Sequence, residues 1–168
     1  MTRAQLPLLG YCYVALALPA LVVGPDNQRL QATLLTGAVF AYFWFIASLG
    51  GKVMRFAPDG FFASVVVASG AAYVPLQAIA VLGGETLLAG LAAACAATTI
   101  VGASLAAWRA RKIPRWFGQA GIAGGIAVLV VGAVEAGADW TLADRSVFAS
   151  SLGFMVWVVV TATYLLRR

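Results

Sequence analysis

Along the chain, long apolar stretches free of charge alternate with short connectors that hold nearly all the charged residues. A charged side chain costs about 2.5–3.5 kcal/mol at the centre of a membrane helix on insertion scales, so an uninterrupted charge-free stretch marks a segment able to cross a bilayer. Six such stretches run between Arg3 and Asp26, Arg29 and Lys52, Asp59 and Glu85, Glu85 and Arg109, Arg115 and Glu135, and Arg145 and Arg167. Each holds between 19 and 25 residues, close to the roughly 20 that carry a helix through about 30 Å of hydrocarbon. The pattern predicts an all-α fold: a polytopic membrane protein in which one domain, residues 1–168, is a bundle of six transmembrane helices. The expected spans are 6–24, 31–50, 60–82, 86–108, 117–136 and 146–166.

Turn-forming residues fall between these spans: Gly24-Pro25-Asp26-Asn27, Gly50-Gly51, Pro58-Asp59-Gly60, Gly83-Gly84 and Ile113-Pro114. None of the connectors is long enough for a soluble domain, so any chemistry belongs to the bundle or its two faces. Basic residues are retained on the cytoplasmic side. With the N-terminus inside, the inner connectors hold Arg3, Lys52, Arg55, Arg109, Arg111, Lys112, Arg115, Arg167 and Arg168, whereas only Arg29 and Arg145 lie outside. Five acids, Asp26, Glu85, Glu135, Asp139 and Asp144, fall outside, and Asp59 alone falls inside. The expected topology is N-in, C-in, in a bacterial cytoplasmic membrane.

Composition agrees and adds exclusions. The chain is 62% hydrophobic and 10% charged, with a mean hydropathy of +0.94, well beyond an ordinary soluble domain. It contains no histidine, which removes imidazole as general base, haem ligand or zinc ligand. Two cysteines cannot by themselves make a zinc or iron–sulfur site. Cys12 and Cys95 sit at different expected depths, too far apart for a disulfide, and are read as packing residues. Neither a cofactor nor a metal is expected. The net charge of +5 is explained by retention of basic residues on the inner face, so no nucleic-acid partner is expected. Arg109, Arg111, Lys112 and Arg115, with Trp108 and Trp116 beside them, meet anionic lipid headgroups in this reading. Arg3, the apolar run after it and Ala15-Leu16-Ala17 resemble a signal peptide, but the run continues to Val23 and reads as the first transmembrane helix.

Inside the spans, Gly118, Gly121, Gly125 and Gly132 share one helical stripe. They form either a homodimer or partner seam or a close contact within the bundle. Gly90, Ala94, Thr98 and Gly102 recur at intervals of four in the fourth span, which is expected to be central. Pro19 and Pro75 each remove a helix hydrogen bond, and Gln77 with Tyr73 is the candidate ligand pair beside the second kink. Alternatively, Gln77 bonds the freed carbonyl or bridges to another helix. The candidate acids are Glu135 and Asp139, four apart on one face, together with Glu85. They are either a proton-handling outer vestibule or solvated helix ends. The aromatics Phe40, Tyr42, Phe43, Trp44 and Phe45 of the second span, and Phe148, Phe154, Trp157 and Tyr164 of the sixth, face lipid or fill the core. Phe62-Ala63-Ser64 and Phe148-Ala149-Ser150 are too short an echo to establish an inverted repeat.

At Arg111-Lys-Ile-Pro-Arg-Trp-Phe-Gly118, and at Trp157 followed by Tyr164-Leu-Leu-Arg-Arg168, the chain resembles a loose, largely actinobacterial family of six-helix integral membrane proteins, catalogued as a domain of unknown function. The resemblance implies a six-helix fold and supplies no catalytic residues. Three functions compete: a non-enzymatic accessory or partner subunit of a membrane complex, or a homodimer; a small-solute component, since size and topology are similar to the substrate-binding S-components of energy-coupling factor transporters; and an enzyme acting on a lipid or terpenoid through the outer-rim carboxylates.

Overall fold

The computed structural model of the chain describes residues 5–23, 27–83, 86–111, 114–137 and 140–166. Among them the regular structure is helical, in six elements: α1 Gln5–Val22, α2 Gln28–Phe56, α3 Phe61–Gly83, α4 Thr86–Arg109, α5 Arg115–Gly137 and α6 Trp140–Leu166. Among the described residues four helices are long and apolar enough to cross a membrane, over Gln28–Phe56, Phe61–Leu82, Leu87–Arg109 and Arg115–Val134, and the stretches Pro7–Val22 and Ser150–Tyr164 are apolar too.

One expected boundary is displaced. The Gly50-Gly51 pair was expected between spans, yet α2 runs through it to Phe56. The reason is proximity: a Cβ on Gly50 would collide with the Val67 side chain of α3, so this glycine lets two helices touch and does not turn the chain. The reversal comes at Pro58-Asp59-Gly60. Gly60 adopts φ +75°, a left-handed conformation in which glycine has no Cβ penalty. The Asp59 carboxylate accepts the Phe61 N–H at 3.3 Å and opens α3.

The chain divides into two compact units, Met1–Phe45 with Met155–Arg168, and Ile46–Phe154. In the first, α1 and α2 pack antiparallel. Gly37 lies against Leu16, and the rings of Tyr13 and Tyr42 sit 4.9 Å apart. Gln31 donates to the Ala20 carbonyl at 3.2 Å, which caps a carbonyl that the end of α1 leaves without a helical donor. The last part of α6 packs on α1 through Gly10 and Ala162. There the Tyr11 hydroxyl donates to Thr163 Oγ1 at 2.6 Å, and Thr163 passes its own proton to the Val159 carbonyl. Helical period sorts the aromatic run of α2: Tyr42 and Phe45 are buried, while Phe40, Phe43 and Trp44 are exposed. Cys12, expected to pack, lies on the exposed side of α1.

In the second unit α4 is the central helix, packed on α3 and on α5. Of its apolar window 56% is buried, against 22% for α5. The α4–α5 seam is made of small residues. A Cβ on Gly132 would collide with Ala93 and one on Gly121 with Ser104, while at Gly125 it would meet Val101 at 2.6 Å and the Ala97 carbonyl at 3.1 Å. Gly90 faces Ala136 and the Gly132 carbonyl in return. The pairs count up along one helix and down the other, so the two are antiparallel in register. The small residues that recur at intervals of four along α4 do not share one neighbour. Steps of four drift by about 40° each on a 3.6-residue helix, so Gly90 faces α5 whereas Gly102 has turned toward Val66 and Val65 of α3.

The seam yields a paired prediction. Gly132→Ala places a methyl on Ala93 and is expected to destabilise by about 1–3 kcal/mol. A Cβ on Gly124 meets nothing within 4 Å, so Gly124→Ala is expected to be neutral or to stabilise by up to about 1 kcal/mol through helix propensity. Unfolding in detergent micelles measures both.

Candidate functional site

The mid-helix pair is spent on packing. Gln77, 9% exposed, donates its side-chain amide to Ser151 Oγ of α6 at 2.9 Å. This is the bridging alternative. Tyr73 is buried, one turn before Gln77, with its ring centroid 4.4 Å from that of Phe154. Both side chains therefore contact α6. A second polar contact joins α3 to α4, where the Ser69 and Thr99 hydroxyls meet at 2.9 Å. Each also lies within reach of its own helix's carbonyl, Val65 and Cys95 respectively, so three contacts share two protons. Sequence reading did not find Ser151 or Ser69 as partners. Their only signal was a hydroxyl in an apolar run, which is ordinary in apolar helices.

The acids are not brought together by anything described. Glu135 belongs to α5 by its backbone, but its side chain, together with Glu85 and Asp139, lies outside the described residues. Among the described residues no group of three or more acids and cysteines is placed to hold a metal ion.

The basic candidates do converge. Arg109, Arg111 and Arg115, with Leu105, Trp108 and Pro114, line a cavity of about 620 Å³ at the α4–α5 turn. Lys112 lies outside the described residues. Arg109 ends α4, where a cation complements the carbonyl end of the helix. Its guanidinium is held over the ring of Phe62 on α3, 5.1 Å from the centroid, a cation–π contact that fixes its direction. Arg115 opens α5, whose first turn closes on the Pro114 carbonyl through the Phe117 and Gly118 N–H groups. Trp116 is 67% exposed and packs edge-on against Phe117. No acid occurs in the sequence between Glu85 and Glu135, so neither helix supplies a carboxylate to neutralise the cluster. Sequence reading found the arginines and both tryptophans. It missed Phe62, which reaches Arg109 only because α3 packs on α4.

Arg111 stands out by its backbone. Its N–H closes on the Trp108 carbonyl at 3.0 Å and its φ is +51°, the left-handed cap position where helices usually place glycine. A side chain in that conformation costs about 1–2 kcal/mol, which this turn accepts in order to keep a guanidinium beside Arg109 and Arg115. Arg111→Gly is therefore expected to raise stability by about 0.5–1 kcal/mol, and Arg111→Val to lower it. Thermal unfolding midpoints in one detergent check both signs.

No family model, curated protein or solved structure matches this chain.

Proposed function

We propose that the chain is an integral protein of a bacterial cytoplasmic membrane that crosses it six times with both termini inside and serves as a non-enzymatic accessory or partner subunit of a membrane complex. The observation that carries this reading is the fate of the mid-helix polar groups. Gln77 is bonded to Ser151, Tyr73 is stacked on Phe154, and Ser69 and Thr99 meet each other. In an apolar bilayer such bonds join helices, and these mid-helix groups are turned toward neighbouring helices. The six charge-free stretches and the nine basic residues of the even-numbered and terminal connectors support the topology. The resemblance to the six-helix actinobacterial family points the same way.

Gly121, Gly125 and Gly132 of α5 face α4, so a partner helix would meet another side of α5, where Ile126, Val130 and Val134 are exposed. Nothing in that apolar face separates a protein partner from lipid acyl chains, and the experiment has to do so. Native mass spectrometry after gentle extraction is expected to show a co-purifying protein chain at fixed stoichiometry, lost on Val130→Arg. A retained small solute on a lone chain would instead favour a transport component. Terminal reporter fusions are expected to give cytoplasmic signal at both ends; periplasmic signal at either end would overturn the topology.

A further inference from the structure

At the α4–α5 turn described charged side chains converge on a cavity, and three independent features shape it for an anion. Its charge is of one sign: Arg109, Arg111 and Arg115 all line it. It is pre-organised, since Arg109 is held on Phe62 and Arg111 is held by a left-handed backbone. A non-glycine residue kept in that conformation is the kind of strain that persists where a side chain has work to do. Third, α5 begins at Arg115, so the positive end of its dipole lies beside the arginines, although the Phe117 and Gly118 N–H groups are already taken by the Pro114 carbonyl. The carbonyl end of α4 opposes this, and Arg109 in its last turn offsets it. Guanidinium is the side chain best matched to phosphate, through paired N–H donors on two oxygens. A volume of about 620 Å³ falls within the usual range of small-ligand sites, larger than a lone phosphate requires.

We propose that this cavity is a binding site for an anionic phosphate group, with Arg109, Arg111 and Arg115 contacting its oxygens and Trp108 forming the apolar wall beside them. The same chemistry is offered by the headgroup of an anionic phospholipid and by a soluble phosphate ester. The lipid is the closer source if α4 and α5 span the membrane, and in that respect the proposal rests on the reading above. It differs from diffuse attraction of a basic loop to a charged surface, because binding is to one cavity, saturable and at one phosphate per chain.

The test uses the full chain in neutral detergent, stripped of lipid, titrated with phosphatidylglycerol or with phosphatidylcholine and followed by native mass spectrometry. One phosphatidylglycerol per chain is expected, bound at least tenfold tighter than phosphatidylcholine. Arg109→Gln/Arg115→Gln is expected to weaken it at least tenfold, while Arg55→Gln, which removes an exposed arginine at the end of α2, leaves it within twofold. Arg111→Gly separates binding from folding, because it is expected to bind more weakly while unfolding at a higher temperature. A parallel arm adds inorganic phosphate and glycerol 3-phosphate. Retention of lipid against millimolar phosphate identifies the lipid source; displacement, with one phosphate bound per chain, identifies the soluble one. Equal binding of the two lipids, or equal losses in Arg55→Gln and Arg109→Gln/Arg115→Gln, overturns the proposal. Resistance of the wild-type chain to carbonate extraction tests the membrane reading separately, and the phosphate arm holds whichever way that falls.

Discussion

The close approach of α4 and α5 sets the terms for the rest of the second unit. Where a Cβ on Gly132 or Gly121 would overlap Ala93 or Ser104, no larger side chain fits without moving a backbone, and the dispersion contacts between the helices depend on that proximity. At one end of the seam, Arg111 with its left-handed backbone lies in the chain between Arg109, which ends α4, and Arg115, which opens α5.

Polar groups in the unit follow one economy. The hydroxyls of Ser69, Thr98, Thr99 and Ser151 and the Gln77 amide are placed where another helix or their own backbone supplies a partner, as apolar surroundings favour. Charge is excluded from the helix middles and gathers at their ends, and at the α4–α5 turn it gathers without a compensating acid from either helix. Function is therefore expected at that end of the unit, while the interior is concerned with holding helices together.

Much of this was legible in the residues. Spacing of charges marked six helices, and the three- and four-residue intervals of Gly118, Gly121 and Gly125 placed them on one stripe. The direction that stripe faces was not legible, since homodimer and hairpin seams use the same small residues; it took Ala93, Ala97 and Ser104 to decide. Gly50-Gly51 misled for a related reason, because glycine serves turns and close contacts alike, and only Val67 tells them apart. The small residues of α4 marked it as a central helix, as it is within the second unit, but not which of them meets which neighbour, since the drift of the helix turns Gly90 and Gly102 to different helices. At the candidate site, like charge in a short connector was visible from composition, but the Phe62 ring that aims Arg109 comes from a helix some fifty residues earlier.

The register of the α4–α5 hairpin has an evolutionary side. Touching pairs advance along one helix as they recede along the other, so a residue inserted within α5 would rotate everything after it by about 100° and swing Gly125 and Gly132 away from α4. Point changes away from the seam, as at Gly124, leave that pairing in place, whereas a change of length within either helix turns its contact face off the other. Descendants of this chain can thus vary in what they present to their surroundings while inheriting α4 and α5 as a single unit of fixed length.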